Sequence, residues 1–202
     1  MNRLFTNVPR LCVVAFVSLV GLSFVACDVE DDGDDNGGGG TTDTRPEVAK
    51  AIRLADGNQS IDLDGACTTH KTNDGKIAPG SDIDAVALVN GLDNSNVTFA
   101  TAADLKTDAF ICGVNDFTNA NAATGADDGS WVSLNGSDLT VEFGRSVREG
   151  DKIEIYELDV QGGMVTETIF GVQLCDSING PCQASQFTNL ETKNGAPIIL
   201  DF

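Results

Sequence analysis

Basic side chains are scarce. Only 12 Lys and Arg stand against 31 Asp and Glu, for a formal net charge of −19. Nucleic-acid recognition needs cations to neutralise phosphates, so this balance excludes nucleic acid as a partner. Charge alone would not hold such a surface on anionic lipid either. Histidine is nearly absent: His70 is the only one. No Cys-x-x-Cys pair exists, so a Cys/His zinc site has too few ligands. His70 sits in the polar stretch 67–73 with no nucleophile motif to serve, and reads as an exposed loop histidine. There is no Gly-x-Ser-x-Gly elbow, and the glycine run 37–40 lacks the Gly-Lys-Ser/Thr of a phosphate loop. Helical periodicity and internal repeats are also missing. The expectation is a chain that is not an enzyme and carries no cofactor beyond a structural calcium. A composition that is 41% apolar can still form a core.

The N-terminus carries an address. Residues 1–10 hold Arg3 and Arg10 and no acid, and residues 11–25 are largely apolar. That run suits the apolar region of a secretory signal and is short for a membrane span of roughly 20 residues. Ala26-Cys27 follows it and resembles the lipobox of bacterial lipoproteins, in which a small residue precedes the cysteine that is lipidated. Phe24 departs from that pattern, where leucine is usual. Residues 28–44 then carry six acids in their first eight positions and four consecutive glycines. Such a segment cannot bury enough surface to offset its ordering entropy. It reads as a tether with a root-mean-square span of about 23 Å. The expected organisation is a signal peptide over 1–26, lipidated Cys27 with a disordered tether over 27–45, and a folded domain over 46–202. The expected location is the cell envelope, with the membrane as partner through lipid on Cys27.

Cys67, Cys112, Cys175 and Cys182 remain in the folded part. An even number in an exported chain suggests two disulfides. Cys175–Cys182 is favoured, because the intervening Asp-Ser-Ile-Asn-Gly-Pro is turn-forming. Cys67–Cys112 would then be the second bridge.

Turn residues punctuate residues 46–202 every eight to twelve positions, the mark of an all-β domain. Strands are expected at Val48–Leu54, Ile83–Val89, Val97–Thr101, Ala109–Cys112, Trp131–Leu134, Leu139–Phe143, Ile153–Leu158, Thr166–Leu174 and Ile198–Phe202, with a helical turn at Ala102–Lys106. The plainest alternation is Leu139, Val141 and Phe143 inward against Asp138, Thr140 and Glu142 outward. Ile153 and Ile155 continue it beyond a turn at Arg148–Asp151. The phase then shifts to Leu158, which predicts a β-bulge near Tyr156. About eight or nine short strands would fill a β-sandwich of jelly-roll type.

Asn121–Leu134, the strand Leu139–Gly144, the strand Ile153–Glu157 and the segment Asp82-Ile83-Asp84-Ala85-Val86 together resemble a stretch of discoidin-type, galactose-binding-like jelly rolls of bacterial surface proteins. The resemblance covers about a quarter of the chain. It implies a jelly roll and a glycan-binding ancestry, and transfers no ligand residue. It also places Asp127 and Asp128 where such domains approach a structural calcium; turn chemistry ahead of Trp131 is the plainer account. For Trp131 itself, core packing is favoured over sugar stacking.

Calcium has two further candidate pairs. Asp62 and Asp64 echo the start of an EF-hand loop, but Lys71 stands where its closing Glu belongs. Asp82 and Asp84 alternate along a strand and would share a face. The leading functional expectation is recognition of a glycan or an envelope protein. A structural envelope component and a hydrolase of envelope polymers are the alternatives.

Overall fold

Alternation of apolar and polar side chains builds antiparallel strands throughout: β1 (Glu47–Asp56), β2 (Asp82–Val89), β3 (Val97–Leu105), β4 (Val132–Ser133), β5 (Asp138–Arg148), β6 (Lys152–Glu157), β7 (Thr168–Cys175), β8 (Phe187–Glu191) and β9 (Ile198–Asp201). The computed structural model describes residues 43–56, 72, 74–158, 168–184, 187–191 and 197–202. They belong to one unit, Asp43–Phe202. Helical structure among the described residues is limited to 3-10 turns at Thr107–Ala109 and Ala120–Ala123. The fold is all-β.

The strands follow the order β8-β7-β1-β5-β3-β2-β6-β9, with β4 beside β2. β3 is the corner of this curled sheet. Its first residues, Val97–Phe99, pair with β2, and from Ala100 onward it pairs with β5. A register shift between Ala100 and Ala102 marks the change of partner, which a bulge accommodates by bending the strand. Two layers result, as in a β-sandwich.

Cross-strand partners share a face, and the core reads off the register. On one layer Leu174, Ile52, Val141 and Ala103 form a row, and Val172, Leu54, Leu139 and Leu105 form the next. On the other, Ile83, Val86, Leu88, Ile153, Ile155 and Leu200 face them. Burying such side chains contributes roughly 1.5–3 kcal/mol each. The turn Leu134–Ser137 places Asn135 and Gly136 at positive φ (51° and 76°) and closes with a 2.9 Å bond from Ser137 N–H to Leu134 O. That is the primed-turn geometry the Asn-Gly dipeptide favours.

Several sequence expectations need correction. Ala102–Lys106 is not a helical turn, because β3 runs through to Leu105 with β5 supplying its bonds. Ala109–Cys112 is not a strand; a 3-10 turn and a bend lie there, held by bonds to Asn135. Trp131–Leu134 shortens to Val132–Ser133, and β8 was not anticipated. A bulge does fall opposite Tyr156, but the extra residue is Asp84 on β2, between Ile83↔Glu157 and Ala85↔Tyr156. β6 keeps its phase, so Glu157, paired with Ile83, takes the inward position.

Candidate functional site

The strands end at two poles. At one, β1 finishes at Asp56, β2 starts at Asp82, and β6 finishes at Glu157. Asp82 is 2% exposed, too deep for a substrate to reach, and its Oδ1 has no hydrogen-bond partner. Burial pushes its carboxyl up to about 8; the negative charges of Glu157 and Asp56 add to this, while a hydrogen bond with Ser133 opposes it. Burial thus favours the protonated form of Asp82. The Asp56 Oδ2 atom accepts from Gly136 N–H at 2.9 Å. Gly80, at φ +83°, lies so close that a Cβ there would overlap Asp56 Oδ2.

Asp82 and Asp84 do not converge on one point. Asp84 is the bulge residue, and its two oxygens accept the N–H groups of Asp128 (3.1 Å) and Gly129 (2.9 Å). Asp128 in turn accepts from Ser130 N–H at 2.8 Å. The structure thus brings Asp84 and the Asp127–Asp128 turn together, but as a carboxylate cradling backbone donors. Among the described residues no group of three or more His, Cys, Asp or Glu is arranged to hold a metal. Asp62, Asp64, Cys67, His70 and Cys27 lie outside the described residues.

An aromatic pair occupies the same pole. Phe117 and Trp131 stack with centroids 4.5 Å apart and planes at 22°, and Lys76 Nζ sits 5.7 Å above the Phe117 ring. Stacking of this kind adds about 0.5–1.5 kcal/mol beyond area burial. Backbone bonds position it: Ser133 N–H donates to Phe117 O (2.9 Å), Asn115 Nδ2 to Ser133 O (2.8 Å), and Phe117 N–H to Asn115 Oδ1 (2.9 Å). Trp131 is half-buried and outside the core cluster, which Val132 and Leu134 enter instead. The expectation of a core tryptophan is corrected accordingly. Val132 and Leu134 take the inward positions on either side of Ser133, leaving Trp131 to pack against a loop.

The opposite pole is a clasp. Asp151, with no exposed side-chain surface, takes Arg45 Nη2 at 2.7 Å and Arg145 Nη1 at 2.6 Å, plus the N–H groups of Arg148 (2.9 Å) and Gly91 (3.2 Å). Burial works to raise its pKa, but the Arg145 bond, the two N–H groups and Arg45 together hold it below the usual carboxylate range. Arg45 also grips Asp43 (2.7 Å) and keeps that carboxyl down at about 2. Pro46 O accepts from Glu149 N–H, and Phe202 exchanges bonds with Gly150 and Asp151. Both Arg45 and Phe202 therefore meet the Arg148–Asp151 turn.

Cys175 and Cys182 are bonded across a separation of seven residues. Cys112 is also disulfide-bonded, and its expected partner Cys67 is among the residues not described. Sequence reasoning missed Asp56, Glu157, Lys76, Phe117, Arg45 and Asp151. Only Phe117, an aromatic in a polar loop, carried any local signal. No family model matches the chain, and no curated protein or solved structure matches it.

Proposed function

We propose that this chain is a non-catalytic lipoprotein of the cell envelope, anchored through lipid on Cys27, whose β-sandwich recognises a glycan or a protein. The anchor part of this reading draws on Arg3, Arg10, the apolar run 11–25, Ala26-Cys27 and the acidic, Gly-rich 28–42. The resemblance to discoidin-type jelly rolls favours recognition over chemistry, as does the depth of the carboxyl group of Asp82. One observation carries the recognition part. The chain enters the sandwich at the Arg45 pole, while the half-buried Phe117–Trp131 stack lies at the other. Aromatic rings away from the point of entry supply contact area at low entropic cost.

Metabolic labelling with an alkyne fatty acid should mark the wild-type chain and leave Cys27→Ser unlabelled and released from membranes. Equal labelling of the two would overturn the anchor. A glycan array and a crosslinking pull-down from envelope extracts, each run beside Trp131→Ala, test recognition. Blank results in both would remove it.

A further inference from the structure

The layer β3–β2–β6–β9 has a second face that the core does not use. Cross-strand pairing lays out its rows: Val97, Val89, Lys152 and Asp201; then Phe99, Ala87, Glu154 and Ile199; then Ala85 with Tyr156. None of these belongs to the core cluster, although Ala85, Ala87 and Val89 are themselves buried. Phe99 and Tyr156 lean together over the small Ala85 and Ala87, with centroids 6.3 Å apart at 45°. The Tyr156 hydroxyl donates to Glu154 Oε2 at 2.7 Å. Burial, that bond, and the negative charges of Glu154 and Asp127 push the phenol up to about 12. Val97 is 40% and Ile199 54% exposed, an apolar border on both flanks. Beside this face runs an edge strand. β9 pairs with β6 alone and ends the strand order among the described residues. Pro197 blunts only its start, and no charge appears before Asp201. Alternate N–H and C=O groups of an edge strand point outward and accept another strand.

We propose that this edge and face dock an extended, lysine- or arginine-bearing segment of a partner protein. The backbone of the segment would pair with β9. Its apolar side chains would rest on Ile199, and its cations would meet Glu154 and the faces of Tyr156 and Phe99, with Asp201 already 3.8 Å from the Lys152 ammonium. Charge complementarity selects this occupant: a chain of net charge −19 attracts cations over long range. Acid-flanked aromatic faces hold them by cation–π attraction, and a strand with one neighbour among the described residues can accept another. The inference rests on the reading of a recognition module and names a protein as what it recognises.

The test uses the full chain in detergent with a labelled octapeptide of alternating lysine and valine. Its controls are a glutamate–valine counterpart and a lysine–valine peptide interrupted by proline. Tyr156 is the only tyrosine, so selective tyrosine labelling makes its NMR ring signals a site-specific report. The lysine–valine strand should shift those signals and bind at least about tenfold more tightly than either control. Ile199→Lys should weaken it by about tenfold and Glu154→Gln by about threefold, with melting temperatures unchanged. Equal binding of the proline-interrupted peptide, silence at Tyr156, or indifference to Ile199→Lys would reduce the attraction to bulk acidity and overturn the proposal. So would a Tyr156 response to a neutral oligosaccharide alone. None of these results touches the Cys27 labelling experiment, so failure here is separable from failure of the anchored-module reading.

Discussion

Asp82 sits where an ionised carboxylate is least welcome, between Glu157 and Asp56 and away from water. Its folded pKa of about 8 lies above the unfolded value of about 3.9. The folded state therefore binds the extra proton. The stability this confers is fully present below the unfolded value and is lost as pH rises through the folded one. Asp43 and Asp151 have the opposite sign. Their lowered pKa values add stability above the ordinary carboxylate range, and that contribution fades as pH falls below it. The denaturation midpoint should consequently peak in mildly acidic solution and decline towards pH 8. Asp82→Asn keeps the shape and removes the titration. It should flatten the alkaline decline and gain on the order of a few kcal/mol at pH 8. Parallel wild-type and variant curves in urea titrations between pH 5 and 9 would show that Asp82 is not the group responsible.

At the scale of elements, the bridge Cys175–Cys182 closes a short loop after β7, and Ile178 N–H within it donates to Glu142 Oε1 on β5 at 2.6 Å. Loop-closure entropy assigns such a bridge about 2–3 kcal/mol. The double variant Cys175→Ala/Cys182→Ala should lose about that much in denaturant unfolding, with β7 still paired to β1. An unchanged midpoint would mean that the turn and the Glu142 contact suffice.

Cys175–Cys182 was legible because turn residues lay between the two cysteines. β5 was legible because one of its faces meets the core. β8 was not, since Phe-Thr-Asn-Leu-Glu carries only two apolar side chains and β7 organises it from outside. Ala102–Lys106 read as helical because its composition favours helix; pairing with β5 overrode that preference. The acid cluster was hidden for a related reason. A glutamate in a strand normally faces water, so the sequence alone turns Glu157 outward through a shift of phase. The extra residue belonged to the neighbouring strand.

For the whole molecule, the decisive fact is where the sandwich begins. Asp43–Pro46 precede β1, yet they knit the turn between β5 and β6 through Arg45 and Pro46. A chain started at Asp43 should melt like the full chain, while one started at Glu47 leaves Asp151 without one of its two guanidinium partners. Breaking a buried pair of this kind costs about 3–5 kcal/mol. With Arg145 remaining, a loss at the lower end is expected, visible as a reduced urea midpoint. Identical midpoints would show that Asp43–Pro46 contribute nothing to the fold.

β1 itself lies between β5 and β7, hydrogen-bonded along both sides. A pull arriving from upstream would act lengthwise on this inner strand. If the load were taken up at the far pole, the rungs of both ladders would be sheared together instead of opening one after another. A module built this way would keep its shape under such a load.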